Sequence, residues 1–429
     1  MSRRTKIIVL GVIFLFLFGA LPISDFSLPL FSYIAGILKS IDVIFTDSTI
    51  QWEVALWLAG CFVIFLILEY QLSSQNKLRW NIANIWLIAL ILLALLPYMR
   101  AYEIACQSTQ VIIFFSGIVF AKAIFIWAQW RSSNVEQRMR ILIVLFVVLL
   151  GGLALCQPHT AREFQYHRII RWSGICDNPN TYGMLMGAGT LLAIALLVSN
   201  RHLAIILVSA ILMMGTGLVM SYSRGAWLGT TIGLLYLANS YNKFNWRSLK
   251  FLLLSAFCFL VLLSVVCFFW KNTSDSAPWY IKRMDLSRPS AQHRVAAWKA
   301  GFEIMRDHPM GVGWGNTTDV YQKNYSPPPD GALAITTNDY LMLGTQLGIP
   351  ALLCFLAYVA LCFRKLRMQN AECRIKTACR AAVLSLLIAF WFDHGLFDLP
   401  TAVVFWILLE LGAYERPRLT TKEPRNEGS

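Results

Sequence analysis

Residues 203–221 read LAIILVSAILMMGTGLVMS, and the chain then passes through Tyr222-Ser223-Arg224-Gly225 into a second apolar segment over 226–240. About 20 apolar residues at 1.5 Å rise each cross a hydrocarbon layer of about 30 Å, so both segments read as membrane-spanning helices. The four residues between them then form a tight turn at the membrane boundary. Working outward, the same signature of near-continuous apolar residues with almost no charge recurs near 6–23, 54–70, 84–98, 110–128, 141–156, 181–199, 251–270, 341–363, 381–394 and 398–413. The expected fold class is an all-α integral membrane protein of about twelve transmembrane helices.

Composition agrees. Of 429 residues, 57% are hydrophobic and 14% charged, against about 45–50% apolar in soluble domains. Soluble globular, disordered, fibrous and small disulfide-scaffold classes are excluded on those figures. Segment 28–45 differs from the spans: Leu30, Phe31, Ile34, Ile37, Leu38, Ile41, Ile44 and Phe45 share one helical face, with Ser32, Lys39, Ser40 and Asp42 opposite. It reads as an amphipathic helix lying in the interface.

The formal charge of +14 would suggest nucleic acid in a soluble protein, but here it reports topology. With both termini in the cytoplasm, the inner segments carry 22 Lys and Arg and the short outer loops 6, as the positive-inside rule requires. Eight more lie in one long outer loop, residues 271–340 between the ninth and tenth spans, which also holds seven acidic residues. The chain reads as one polytopic domain, 1–429, with a cytoplasmic tail at 415–429. Nucleic acid is not an expected partner. Lys122 sits within a span about six residues, or about 9 Å, from its cytoplasmic end, so it is expected to snorkel outward. Carboxylates and histidines near the midplane, the usual mark of ion-coupled transporters, are not evident.

No C-x-x-C pair occurs among the ten cysteines, so a zinc site is not expected. Cys156 or Cys106 could pair with Cys176 outside; isolated buried thiols are the favoured alternative. No metal or cofactor is expected.

The outer face carries the chemistry-bearing residues. His159, His167, His293, His308 and His394 all fall there. The loop before residue 181 holds Arg168, Arg171 and Cys176-Asp177-Asn178-Pro179-Asn180. Asn180 suits the N-cap of the next helix, and a helix N-terminus beside arginines also attracts anions. Arg224 in its tight turn could serve lipid headgroups or clamp a lipid phosphate through its bidentate fork. Within the long loop, Ser290 can cap a helix from Ala291 to Asp307 that ends at Pro309, with Val295, Trp298, Phe302 and Met305 on one face and Arg294 at its edge. Pro309, Gly311, Gly313, Trp314 and Gly315 read as a glycine turn, since no strand precedes them and their spacing is not a dinucleotide fingerprint. Thr337-Asn338-Asp339-Tyr340 leads into the tenth span, and the last outer turn reads Phe392-Asp393-His394-Gly395-Leu396-Phe397-Asp398.

Four of these stretches, in order, resemble the O-antigen ligase and polymerase superfamily, polytopic bacterial enzymes that move glycans from undecaprenyl diphosphate. They are Gly174 to Asn180, Ser223-Arg224-Gly225-Ala226-Trp227, Arg294 and Trp298 followed by Pro309 to Gly315, and Asn338-x-Tyr340-Leu341 followed by Leu347-Gly348-Ile349-Pro350. The resemblance covers roughly 165–415. It implies a metal-independent glycosyltransferase of the inner membrane, acting at its periplasmic face in lipopolysaccharide or surface polysaccharide biosynthesis. The implied partners are an undecaprenyl-diphosphate-linked glycan and an acceptor glycan, such as lipid A-core. By resemblance, Arg224 and Arg294 bind the donor's diphosphate, with Arg171 and Asn180 beside them. Thr337 stands where the family commonly has a histidine.

A lipid diphosphate is an activated donor, so transfer needs charge stabilisation on the leaving group and removal of the acceptor's proton. His394 is the first candidate for the proton, with Asp339 and Asp393 as carboxylate candidates, and Asn338, Tyr340, Trp298 and His308 as acceptor or loop contacts. A lipid-linked glycan flippase and a non-catalytic subunit of a polysaccharide assembly complex are the alternative functions.

Overall fold

The computed structural model describes residues 60–64, 66–67, 82–100, 109–129, 135–155, 171–174, 176, 178–199, 203–240, 289–325, 327, 331–363 and 371–413. The expected spans at 6–23 and 251–270, most of that at 54–70, the interfacial helix 28–45, the segment 271–288, Cys106, Cys156 and the tail lie outside the described residues.

The described residues are helical throughout. In chain order come α1 (Ile82–Arg100), α2 (Thr109–Gln129), α3 (Val135–Leu155), α4 (Pro179–Ser199), α5 (Ala204–Met220) and α6 (Arg224–Ser240). There follow α7 (Pro289–Asp307), α8 (Thr317–Asn324), a 3-10 helix (Ala332–Thr337), α9 (Asp339–Gln346), α10 (Ile349–Phe363), α11 (Ala371–Ala389) and α12 (Leu399–Ala413). Among the described residues one helix, Pro179–Val198, is long and apolar enough to cross a membrane by length and composition. Six shorter apolar helices accompany it, among them Gln110–Ile126, Ile349–Phe363 and Leu399–Ala413.

Close packing here depends on small residues. Gly225, Gly229 and Gly233 repeat every fourth residue along α6, so they form one stripe. A Cβ on Gly229 would lie 2.2 Å from the Ser385 carbonyl oxygen, and one on Gly233 2.8 Å from that of Ala381. That stripe brings the α6 and α11 backbones together, the device by which apolar helices associate without a large hydrophobic driving force. α11 also packs on α4 and α12, and α12 on α2.

The tenth expected span is broken in two. Gly348, at φ +92°, separates α9 from α10, and the glycine turn that follows α7 docks on that break. Val312 N–H donates to the Thr345 carbonyl (2.8 Å), Gly313 N–H to Gln346 (3.0 Å), and Ile349 N–H to Pro309 (2.9 Å). The carbonyls released by the break are thereby satisfied, as buried backbone must be. Trp314 then plugs into the bundle, fully buried, its indole N–H donating to the Ala94 carbonyl at 2.8 Å and its ring against Phe114 and Phe397. Burial of a tryptophan on this scale contributes about 3–5 kcal/mol, which fixes the flap to the bundle.

Three sequence expectations shift. The helix of the long loop begins at Pro289, so Ser290 lies inside it, and proline supplies a favourable first position. Its buried stripe is Ala297, Ala300, Ile304 and Met305, while Val295 and Phe302 are exposed, because the small residues allow close approach to α9 and the 3-10 helix. Lys122 does not snorkel: its side chain is 1% exposed, 2.8 Å from Glu410 Oε1 and 3.0 Å from Asn84 Oδ1. Tyr358 O–H donates to the same Glu410 oxygen. Glu410, inside the last apolar segment, is the partner that makes burial of the lysine affordable. Nearby, Arg380 donates to the Gly412 (2.9 Å) and Phe363 (3.0 Å) carbonyls, placing a cation at the C-terminal ends of α12 and α10 where the helix dipoles favour it.

Candidate functional site

The site is built on the turn 390–398, between the end of α11 at Ala389 and the start of α12 at Leu399. Three neighbouring segments hold it. Asp339, at the head of α9, accepts through Oδ2 from Gly395 N–H and Leu396 N–H, both at 2.8 Å. Its own N–H donates to the Phe390 carbonyl at 3.0 Å. From the head of α4, Asn180 Nδ2 donates to Asp393 Oδ2 and Thr181 O–H to Asp398 Oδ2. From the head of α6, Gly225 packs so tightly that a Cβ there would lie 2.9 Å from Phe392 Cβ. The N-termini of α4, α6, α9 and α12 therefore converge on one turn, and their dipoles point partial positive charge at it.

The capping residues differ from the expected ones. Asn178, not Asn180, accepts the Asn180 N–H at 2.8 Å, since α4 begins two residues earlier than expected, at Pro179. Asn180 is thus released to bridge Arg171 Nη2 (2.6 Å) and Asp393. Arg171 Nε donates to the Ser221 carbonyl at 2.8 Å, so its guanidinium ties the α5–α6 turn to Asn180. Asn338 does cap its helix, accepting from Tyr340 N–H (3.0 Å) and Leu341 N–H (3.1 Å).

At the centre, His394 Nδ1 lies 2.9 Å from Asp393 Oδ1; the imidazole side chain is 40% exposed and the carboxylate 6%. Burial opposes charge on His394, but Asp393, Asp339 and Asp398 outweigh it and lift the imidazole to about 9. Burial likewise disfavours an ionised Asp393. The His394 hydrogen bond and charge, the His394 amide and the charge of Arg294 overcome it and hold the carboxyl below its ordinary range. Asp339 is the opposite case. Burial dominates its two backbone hydrogen bonds and raises it to about 8, so it carries its proton at neutral pH, and Oδ1 has no hydrogen-bond partner. The cluster at pH 7 is an imidazolium on a carboxylate, above a neutral carboxylic acid.

Helix α7 places Arg294 within electrostatic reach of Asp393. One helical turn further, the Trp298 ring meets Trp391 at 5.7 Å, and Tyr340 meets Trp391 at 5.6 Å. Arg224 is exposed at the first position of α6, next to the glycine that abuts Phe392. Of the expected site residues, Arg171, Asn180, Arg224, Arg294, Trp298, Asn338, Asp339, Tyr340, Asp393 and His394 thus gather around one turn. His308 stands apart: it lies exposed after α7, its backbone bonded to Ile304 and Gly311. Thr337 donates to the Ala334 carbonyl at 2.7 Å, inside the 3-10 helix. Sequence reasoning gave no role of their own to Trp391, Asn178 and Thr181; the boundary between α11 and its turn, placed five residues too late, hid the first. Among the described residues no group of three or more His, Cys, Asp or Glu is arranged to hold a metal ion.

Comparison with known proteins bears on half of this assembly. Residues 209–356 match the family model described as O-antigen ligase. This segment resembles an O-antigen ligase domain. The match supports the O-antigen ligase and polymerase superfamily, and with it an enzyme of glycan processing, for the chain. It takes in Arg224, Arg294, the glycine turn and Asn338 to Tyr340, and leaves Arg171, Asn180, Asp393 and His394 outside. No curated protein matches the chain.

Proposed function

We propose that this chain is a metal-independent glycosyltransferase of the O-antigen ligase and polymerase type that moves a glycan from undecaprenyl diphosphate to an acceptor hydroxyl at the outer face of the bacterial inner membrane. The observation that carries this reading is that Arg294 from the outer loop and His394 from the α11–α12 turn both act on Asp393. Cations from two separate elements bear on one carboxylate at the ends of apolar helices, an arrangement suited to a lipid diphosphate.

In the transfer, the acceptor oxygen bonds to the anomeric carbon as the bond from that carbon to the diphosphate oxygen breaks, and undecaprenyl diphosphate leaves. Arg224, Arg294 and the imidazolium of His394 stabilise the charge that grows on the leaving group, aided by the converging helix N-termini. The charge on His394 moves it from the proton acceptor suggested by the sequence to the cationic side of the site. The acceptor's proton passes instead to Asp393, the ionised carboxylate of the cluster. An oxocarbenium-like transition state breaks the bond to the leaving group ahead of proton loss, so a weak base suffices. Asn180, held by Arg171, keeps Asp393 in place, and Asp339 fixes the backbone of the turn. Inversion at the anomeric carbon follows from direct displacement.

The test is incubation of purified protein with undecaprenyl-diphosphate glycan and a panel of acceptors, lipid A-core among them. A glycosylated acceptor, formed in EDTA and lost in Arg224→Ala, is expected. Unchanged product in that variant, or a strict need for divalent ion, contradicts the proposal.

A further inference from the structure

Buried aromatic rings are abundant in this bundle and need no function: Phe390, Phe405 and Trp406 are at most 1% exposed and pack on one another. Trp391 is different. It follows Phe390 directly yet is 36% exposed, although two aromatic neighbours could have enclosed it. Trp298 approaches from α7 at 5.7 Å and 60°, and Tyr340 from α9 at 5.6 Å and 42°. Tyr340 is itself pinned, its O–H donating to the Leu387 carbonyl at 2.7 Å and its ring backed by Phe355 at 6.4 Å. The rings are thus braced from three elements, while part of the central indole stays open.

Each ring also neighbours a member of the charged cluster. Trp391 lies two residues before Asp393, Trp298 one helical turn after Arg294, and Tyr340 directly after Asp339. The Trp298 indole N–H is shielded from solvent and has no hydrogen-bond partner, a donor left over after folding. An open aromatic face matches a pyranose: the axial C–H groups of the sugar carry partial positive charge and meet the negative face of the ring. A tryptophan serving only as an interfacial anchor would stand on the lipid-facing surface, without the loop helix laid against it.

We infer that Trp391, braced by Trp298 and Tyr340, is a stacking shelf for the sugar ring nearest the diphosphate. This rests on the transferase reading and adds to it the part of the donor that sets preference for a glycan over bare lipid carrier.

The experiment compares binding of undecaprenyl diphosphate and of undecaprenyl-diphosphate-linked oligosaccharide to the full chain in nanodiscs, in wild type, Trp391→Leu and Trp391→Phe. Wild type is expected to bind both, the glycan-bearing lipid more tightly. Trp391→Leu should lose roughly tenfold for the glycan-bearing lipid, the scale of one aromatic contact, and nothing for the bare one. Trp391→Phe, which keeps a ring face, should recover most of the loss. Equal weakening for both lipids in Trp391→Leu would mark the ring as a bilayer anchor and overturn the shelf, as would no change in either. If the wild type binds neither lipid, the transferase reading falls and the shelf with it. If it binds both and only the Trp391 pattern fails, the shelf alone falls.

Discussion

Two ionic clusters lie among the apolar helices of this protein, and they are built in opposite ways. Lys122 and Glu410 face each other at 2.8 Å with side chains 1% and 7% exposed, each also bonded to a neutral group, Asn84 or Tyr358. Asp393 and His394 lie at almost the same separation, 2.9 Å, but the imidazole is 40% exposed. The first pair spends its charge on itself and fixes how α2, α10 and α12 fit together, a use for which buried pairs are suited. The second leaves an imidazolium partly open, on a carboxylate that also feels the charge of Arg294 from α7. Similar residues thus serve architecture where enclosed and chemistry where open.

Removing an exposed charge and removing an enclosed one should therefore damage different properties. Arg224→Ala is expected to lower glycan transfer about a hundredfold to a thousandfold with a thermal unfolding midpoint close to wild type, and His394→Ala to lower transfer on the same scale while losing only the pH-dependent stability its bound proton supplies; product formation per mole of folded protein checks both. Lys122→Ala or Glu410→Ala should destabilise the fold by about 3–5 kcal/mol, because each strands a buried charge, while the folded fraction turns over normally. The double variant Lys122→Met/Glu410→Leu should regain most of that stability in denaturation assays. A loss of turnover in folded Lys122→Ala would erase the distinction between the clusters.

Asn180→Ala tests the support of the open pair. It frees Asp393 from its firmest neutral donor, and transfer is expected to fall about tenfold, in line with loss of one charge-assisted hydrogen bond, with little change in lipid affinity. The smallest effect is on stability against pH. His394 is raised from 6.5 to about 9, so the folded state holds its proton more tightly. Its contribution is complete below pH 6.5 and is lost as pH passes 9. Asp339, raised from 3.8 to about 8, also binds its proton more tightly when folded, and its contribution declines over that lower window. The unfolding midpoint should fall from pH 6.5 to 9, and His394→Gln should flatten the upper part of that descent.

Much of this was legible in the sequence. The apolar runs located α1, α2 and α4 to within two residues at each end, because a helix in hydrocarbon has no polar face to confuse its limits. The residues around the open cluster were also nearly all named, since charge at the edge of an apolar run stands out. Pairings across hundreds of residues were not legible. Glu410 passed as an ordinary member of an apolar run until Lys122 stood opposite it, and the break at Gly348 looked like mid-span until the glycine turn was seen to satisfy its carbonyls. Asn180 was misread as a cap because a two-residue shift of helix start exchanges its role with that of Asn178.

The central claim is that the flap and the α11–α12 turn place their cations on one diphosphate. A double-mutant cycle with Arg294→Ala and His394→Gln, read as affinity for undecaprenyl diphosphate, tests it most directly. The account predicts non-additive losses with a coupling of about 1 kcal/mol or more; losses that add to within about 0.3–0.5 kcal/mol, as for independent distant groups, would contradict it.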